Sequence, residues 1–252
     1  MRKTGVVAAL IGSALVLAGC SGGGAEEPRR TVTVLAAASL TESFDELAGR
    51  FEAENPGVDV RLDYAGSSTL VEQLIQGRGA DVFASANTAN MDKAAEAGVT
   101  AGEPRVFATN ELTIAVPKGN PDRIGSLADL AAPGRLVVRC APEVPCGAAA
   151  RTVEQAAGVH PRVVSEENDV KSVLRKVAAG EADAGLVYVT DVRSAKDQVQ
   201  AVDFPEARRA VNDYPIVQLK DAPEPELATR FLDYVHGPAG ADVLAAHGFG
   251  AG

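Results

Sequence analysis

From Thr31 onward, short β-branched apolar runs alternate with stretches whose apolar residues recur every three or four positions. That alternation predicts an α/β fold on a largely parallel sheet. The runs predict strands at Val32–Leu35, Val58–Tyr64, Asp81–Ala84, Leu112–Val116, Leu136–Cys140, Arg162–Val164, Leu186–Val189 and Ile216–Leu219. Leu40, Phe44, Leu47 and Phe51 share one face of a helix that stops near Asn55-Pro56-Gly57. Val170, Val173, Leu174 and Val177 mark a second helix, ending at Gly180, and Leu227, Phe231 and Tyr234 a third, ended by Gly237-Pro238. No repeat of fixed period interrupts this plan.

The start of the chain follows a different pattern. Arg2 and Lys3 precede an apolar run, Val6 to Ala18, that has the layout of an export signal and is too short to span a bilayer comfortably. The run closes on Leu17-Ala18-Gly19-Cys20, which resembles the lipobox of bacterial lipoproteins, where cleavage leaves the cysteine as a lipidated N-terminus. Residues 1–19 are therefore expected to be a signal peptide, and 20–30 a lipidated Cys20 followed by a Gly-rich, charged tether. Acyl chains contribute about 0.8 kcal/mol per buried methylene, enough to hold the protein on the outer face of the cell membrane.

Charge and composition narrow the partners. With 24 Lys and Arg against 34 Asp and Glu the net charge is −10, which argues against nucleic-acid binding. Aromatics make up 4% with no Trp, so the core must be mainly Ala, Val and Leu, and stacking platforms for bases or sugars are scarce. Once Cys20 is set aside, Cys140 and Cys146 remain in a compartment that favours a disulfide. Closing so short a loop contributes about 2 kcal/mol by chain entropy. A redox pair is the alternative, although no Cys-x-x-Cys is present.

Two segments have the look of crossings between lobes. Leu112 to Pro117 ends in a Pro-Lys-Gly turn, and Asn212 to Gln218 carries a proline followed by a short apolar run. A two-strand hinge there would divide the exported chain into 31–111, a second lobe at 112–215, and a return segment at 216–252.

Several motifs then fall in one order: Ala36-Ala37-Ala38-Ser39-Leu40-Thr41, Ala65-Gly66-Ser67-Ser68-Thr69-Leu70, Ala80 to Ala86, Pro142-Glu143-Val144-Pro145-Cys146-Gly147, Leu186-Val187-Tyr188 and Gly248-Phe249-Gly250. Together they resemble the molybdate-binding proteins (ModA family) of ABC importers, over essentially Thr31 to Phe249. The resemblance implies a two-lobed periplasmic binding protein-like fold of type II that closes on molybdate or tungstate. It also implies delivery to a membrane permease with a cytoplasmic ATPase, a monomer, no catalysis and no cofactor, with molybdenum present only as the bound oxyanion. By motif, Ser39 and Ser67 would donate hydroxyls and amides, Cys146 and Val170 backbone amides, and Tyr188 its hydroxyl. Cys146 departs from the alanine common at its place, which touches pocket volume rather than the amide.

The residues support such a site without the family. Ser39, Ser67, Cys146 and Val170 each sit before or in the first turn of an expected helix, where free N–H groups and the helix dipole favour an anion. Blander readings exist for each. Ser39 with Glu42 has the spacing of a capping box, and Thr69 with Glu72 offers a cap that leaves Ser67 freer. Tyr188 could be core, and Val170 only the first apolar residue of its helix. Glu166 and Glu167 read as solvated, and Asp169 as the N-cap of the helix that follows. A calcium site finds no EF-hand spacing, and His160, His236 and His247 form no metalloprotease motif. The remaining alternatives are a receptor for sulfate, phosphate or another small solute, and a secreted thiol-disulfide protein using Cys140 and Cys146.

Overall fold

A computed structural model describes residues 29–252. The expected signal segment and Cys20 lie outside the described residues. The first sheet starts earlier than expected: Arg30, assigned to the tether, already pairs with Val58 and forms an ion pair with Glu224.

The first lobe opens with β1 (Arg30–Ala37), a 3-10 turn at Ala38–Leu40 and α1 (Thr41–Glu54). It continues through β2 (Val58–Ala65), α2 (Ser67–Ile75), β3 (Val82–Ala84), α3 (Thr88–Glu96) and β4 (Thr100–Asn110). The second lobe comprises β5 (Leu112–Pro117), β6 (Val137–Cys140), α4 (Pro145–Ala157), β7 (Val163–Glu167), α5 (Val170–Ala178), β8 (Ala184–Tyr188), α6 (Val189–Ser194) and β9 (Val199–Val202). The chain returns with β10 (Asn212–Leu219), α7 (Pro225–His236), α8 (Pro238–His247) and β11 (Gly250–Ala251). No helix among the described residues is long and apolar enough to cross a membrane.

Each lobe has its own sheet, ordered β11-β4-β10-β3-β1-β2 and β7-β6-β8-β5-β9. The sheets are mixed rather than largely parallel, and the exceptions are informative. The strand entered after each crossing, β5 in one sheet and β10 in the other, runs antiparallel to its neighbours. Neither strand itself crosses. Leu112 to Pro117 pairs wholly within the second sheet, and Asn212 already pairs with Asn110 in the first, so the return precedes residue 216. The crossings are the short polar connection at Asn110-Glu111 and the segment ahead of Asn212.

The burial pattern explains why these runs form strands. Val32, Val34 and Ala36 face one buried cluster while Leu35 faces another, the two-residue period of a strand covered on both sides. Phe231 meets Phe44 and Phe51 edge to face in the first lobe, and Phe107 packs at a tilt against Phe44. The second lobe instead packs Val, Leu, Ile and Ala around Phe204 and Tyr188.

Candidate functional site

The parallel strands of both sheets end at one cleft. β1 leads to Ser39, β2 to Ser67, β3 to Ala86, β6 to Cys146, β7 to Val170, and β8 ends on Tyr188. Ligands of open α/β sheets bind outside these carboxyl ends, because the helix N-termini gather there. All five residues expected at the site, Ser39, Ser67, Cys146, Val170 and Tyr188, line a single small cavity. Its interior is tight, with about 10 Å³ accessible to the centre of a water molecule, and it is partly open to solvent. Gly66, Ala86 and Val144 also line it and were not singled out from the sequence, and Asp169, expected only as an N-cap, lines it as well. Ala86 and Gly66 lie inside motifs already recognised, and position just after a strand end is the signal that could have found them.

The hydroxyls of the first lobe are held by the protein. Ser67 Oγ accepts the Ala86 N–H at 3.0 Å, which leaves its own hydrogen to donate. Ser39 Oγ lies 3.0 Å from the Tyr214 hydroxyl. The two local caps expected here are not used. Helix α1 has Leu40 at its N-cap with no side-chain cap, and Glu42 instead binds Lys171 of the second lobe at 2.8 Å. Helix α2 begins at Ser67 behind an N-cap Gly66, so Thr69 lies within it.

In the second lobe the donors are helix starts and one phenol. Cys146 follows Pro145 in the first turn of α4, and Cys140 is bonded to Cys146 with 5.7 Å between Cα atoms. The loop is also packed tightly: a Cβ on Gly147 would lie 2.0 Å from the Ala141 carbonyl oxygen, so only glycine fits. Val170 opens α5 behind Asp169, whose carboxylate accepts the Ser172 N–H at 2.8 Å and its hydroxyl at 2.7 Å. This turns the one carboxylate lining the cavity toward its own helix. Glu166 is exposed, as expected, and also pairs with Arg139, whereas Glu167 is half-buried and pairs with Lys176.

Tyr188 is 1% exposed and its hydroxyl oxygen has no hydrogen-bond partner among the described residues. Burial, with Tyr214 and Asp191 nearby, pushes this phenol well above its ordinary range, so it stays protonated as a donor. Its backbone N–H is held by Asp191, which is fully buried. Burial raises the Asp191 carboxyl to about 6 against the opposing pull of Lys171.

The lobes are in contact around the cavity. A Cβ on Gly66 would lie 2.0 Å from the Asn168 carbonyl oxygen of the opposite lobe, although the φ of −62° at Gly66 suits any residue. Close approach alone explains this glycine. Asn90 reaches the Glu143 carbonyl at 3.4 Å across the same seam. The cavity therefore offers hydroxyls, amides and a phenol, and no Lys or Arg lines it. Donors of this kind suit a compact anion that brings only acceptors. No cluster of His, Cys, Asp or Glu suited to a metal ion occurs among the described residues.

Residues 32–250 match the bacterial extracellular solute-binding protein family. The chain is 48% identical to the molybdate-binding protein ModA of Mycobacterium tuberculosis (strain ATCC 25618 / H37Rv), over 98% of this chain and 97% of that protein. It is 31% identical to the molybdate-binding protein ModA of Escherichia coli (strain K12), over 86% and 88% of the two chains. In fold it is similar to the periplasmic molybdate-binding protein of Azotobacter vinelandii, with a TM-score of 0.75 at 23% identity, covering 86% of this chain and 98% of that one. The sulfate-binding protein SubI of M. tuberculosis H37Rv shares the fold equally well, with a TM-score of 0.76 at 18% identity over 87% and 86%. By sequence over nearly its whole length, and by a fold of two sheets whose strand ends meet at one cavity, the chain belongs to the bacterial extracellular solute-binding protein family.

Proposed function

We propose that this protein captures molybdate, and tungstate with it, outside the cell and hands it to the permease of an ABC importer driven by a cytoplasmic ATPase. It works as a monomer with no resident cofactor and no catalysis, held to the outer face of the membrane through a lipidated Cys20. Ser39, Ser67 and Tyr188 donate hydroxyls, and Cys146 and Val170 donate amides. The reading rests on the Tyr188 hydroxyl: a buried donor without a partner, beside a cavity lined by other donors, is costly unless a ligand completes it. The names of the relatives identify which anion, since the donors alone suit any fully deprotonated tetrahedral oxyanion. Asp169, the one carboxylate lining the cavity and so a candidate acceptor for the proton of hydrogen phosphate, already accepts two hydrogen bonds from Ser172.

A ligand touching both lobes stabilises the closed arrangement. A thermal-shift series with molybdate, tungstate, sulfate and phosphate tests the reading. At about 100 times its dissociation constant a true ligand adds about 2.7 kcal/mol, or about 5–10 °C for a chain of this size. Shifts with molybdate and tungstate are expected. A shift with sulfate alone, or none at all, overturns the assignment.

A further inference from the structure

We propose that Asn110 and Tyr214 are positioning residues that aim the Ser39 hydroxyl hydrogen into the cavity; the inference rests on the oxyanion reading above. Asn110 is the last residue of β4, at the crossing into the second lobe. A backbone N–H can only donate, so the Asn110 atom 3.0 Å from the Glu111 N–H is the carbonyl oxygen, Oδ1. The other end of the amide is then Nδ2, a donor, which reaches Thr190 Oγ1 at 2.9 Å and the Tyr214 hydroxyl at 3.4 Å. Tyr214 is fully buried, and having accepted from Asn110 its hydroxyl must place its own hydrogen elsewhere. The acceptor within reach is Ser39 Oγ at 3.0 Å. Ser39 Oγ therefore accepts from Tyr214, and its own hydrogen, with no acceptor among the described residues, is left for the cavity it lines.

The polarity of the chain runs one way, from the Glu111 N–H through Asn110 and Tyr214 to Ser39. Burial raises the Tyr214 phenol above its ordinary range, which keeps the intermediate link protonated. Because Asn110 also binds Thr190 of the second lobe, the relay is anchored at the crossing rather than at the cavity rim. The donor is thus oriented before ligand arrives, and the reorganisation that a freely rotating serine would need is avoided. Ser67 gains the same polarity from the single Ala86 N–H, so each first-lobe serine has one lone pair engaged by the protein and its hydrogen left to donate.

The test is a double-mutant cycle, with molybdate affinity of the mature chain measured by calorimetry. Tyr214→Phe keeps the ring and is expected to weaken binding about five- to tenfold. In a Ser39→Ala background the same change should cost less than about twofold, because the group it aims is gone. Asn110→Asp keeps the shape but lets residue 110 accept from Tyr214, which reverses the relay and should weaken binding at least about tenfold. Equal losses from Tyr214→Phe in both backgrounds, or unchanged affinity in Asn110→Asp, would overturn the proposal. Absence of molybdate binding by the unmutated protein is a different result: it removes the proposed function, and this inference falls with it.

Discussion

Ser67 and Tyr188 face one cavity from opposite lobes, each 1% exposed, yet the protein provides for them differently. Ser67 Oγ accepts a backbone N–H and keeps a hydrogen to give. Tyr188 ends its strand with a hydroxyl that nothing among the described residues satisfies. The first lobe therefore holds a pre-oriented half of the site. The second holds a half whose stability depends on what fills it. A buried unsatisfied group costs about 1–3 kcal/mol, which a ligand arriving from the opposite lobe recovers. Under the function proposed above, the asymmetry would give closure a direction: the ligand would settle among fixed donors, and the phenol would be completed when the lobes meet.

Ser67→Ala should give the largest effect. It removes a hydrogen bond to a charged ligand, worth about 1.5–3 kcal/mol, and also strands the buried Ala86 N–H. Molybdate affinity is expected to fall on the order of 100-fold. The melting temperature of the unliganded protein should fall as well. Calorimetry and a melting curve without ligand check both effects.

Tyr188→Phe sharpens the contrast. Binding should weaken on the order of tenfold, since one donor is lost while the ring still fills its place. The unliganded protein should melt at the same temperature or higher, because the change removes a buried hydroxyl that lacked a partner. Destabilisation of the unliganded protein matching that of Ser67→Ala would break the comparison between the lobes.

Much of this arrangement is legible along the chain, and the parts that are not share a cause. The apolar runs of β1, β3, β5, β6 and β8 stand out because these strands are largely buried, whereas β2, half-buried at the sheet edge, shows as an alternation of apolar and charged residues. β4 does not stand out, since Gly102 and Pro104 interrupt it and its N-terminal half is largely exposed. It becomes a strand through pairing with β10, more than 100 residues later. The serine motifs are local and readable, but the use of Glu42 is not. Its spacing from Ser39 fits a capping box, and the carboxylate is taken instead by Lys171, 129 residues away. Asn110 and Tyr214 left no trace in the pattern, because their significance is which atom of each faces which neighbour across the lobes.

That same Glu42 gives the smallest of the expected effects, and it concerns the seam rather than the cavity. Lys171 reaches across from α5 to Glu42 on α1, and stands 3.3 Å from the buried Asp191. Burial works against ionisation of Glu42, but the hydrogen bond and charge of Lys171 outweigh it and hold the carboxyl below its ordinary value of 4.5. The Glu42 side chain is 41% exposed, so solvent screens the pair and its worth is that of a surface bridge, about 0.2–1 kcal/mol. Glu42→Gln should therefore weaken molybdate affinity less than about fivefold. A carboxyl with a lowered pKa contributes only while ionised, so the contribution is present above 4.5 and is lost as the pH falls through the lower value reached in the closed protein. The ratio of wild-type to Glu42→Gln affinity should accordingly shrink toward one on acidification. Using the ratio cancels the protonation chemistry of the oxyanion, which both proteins meet alike. A ratio that stays constant from neutral pH to below the range of Glu42 would show that Lys171 stabilises closure through Asp191 in its own lobe and not through the bridge between lobes.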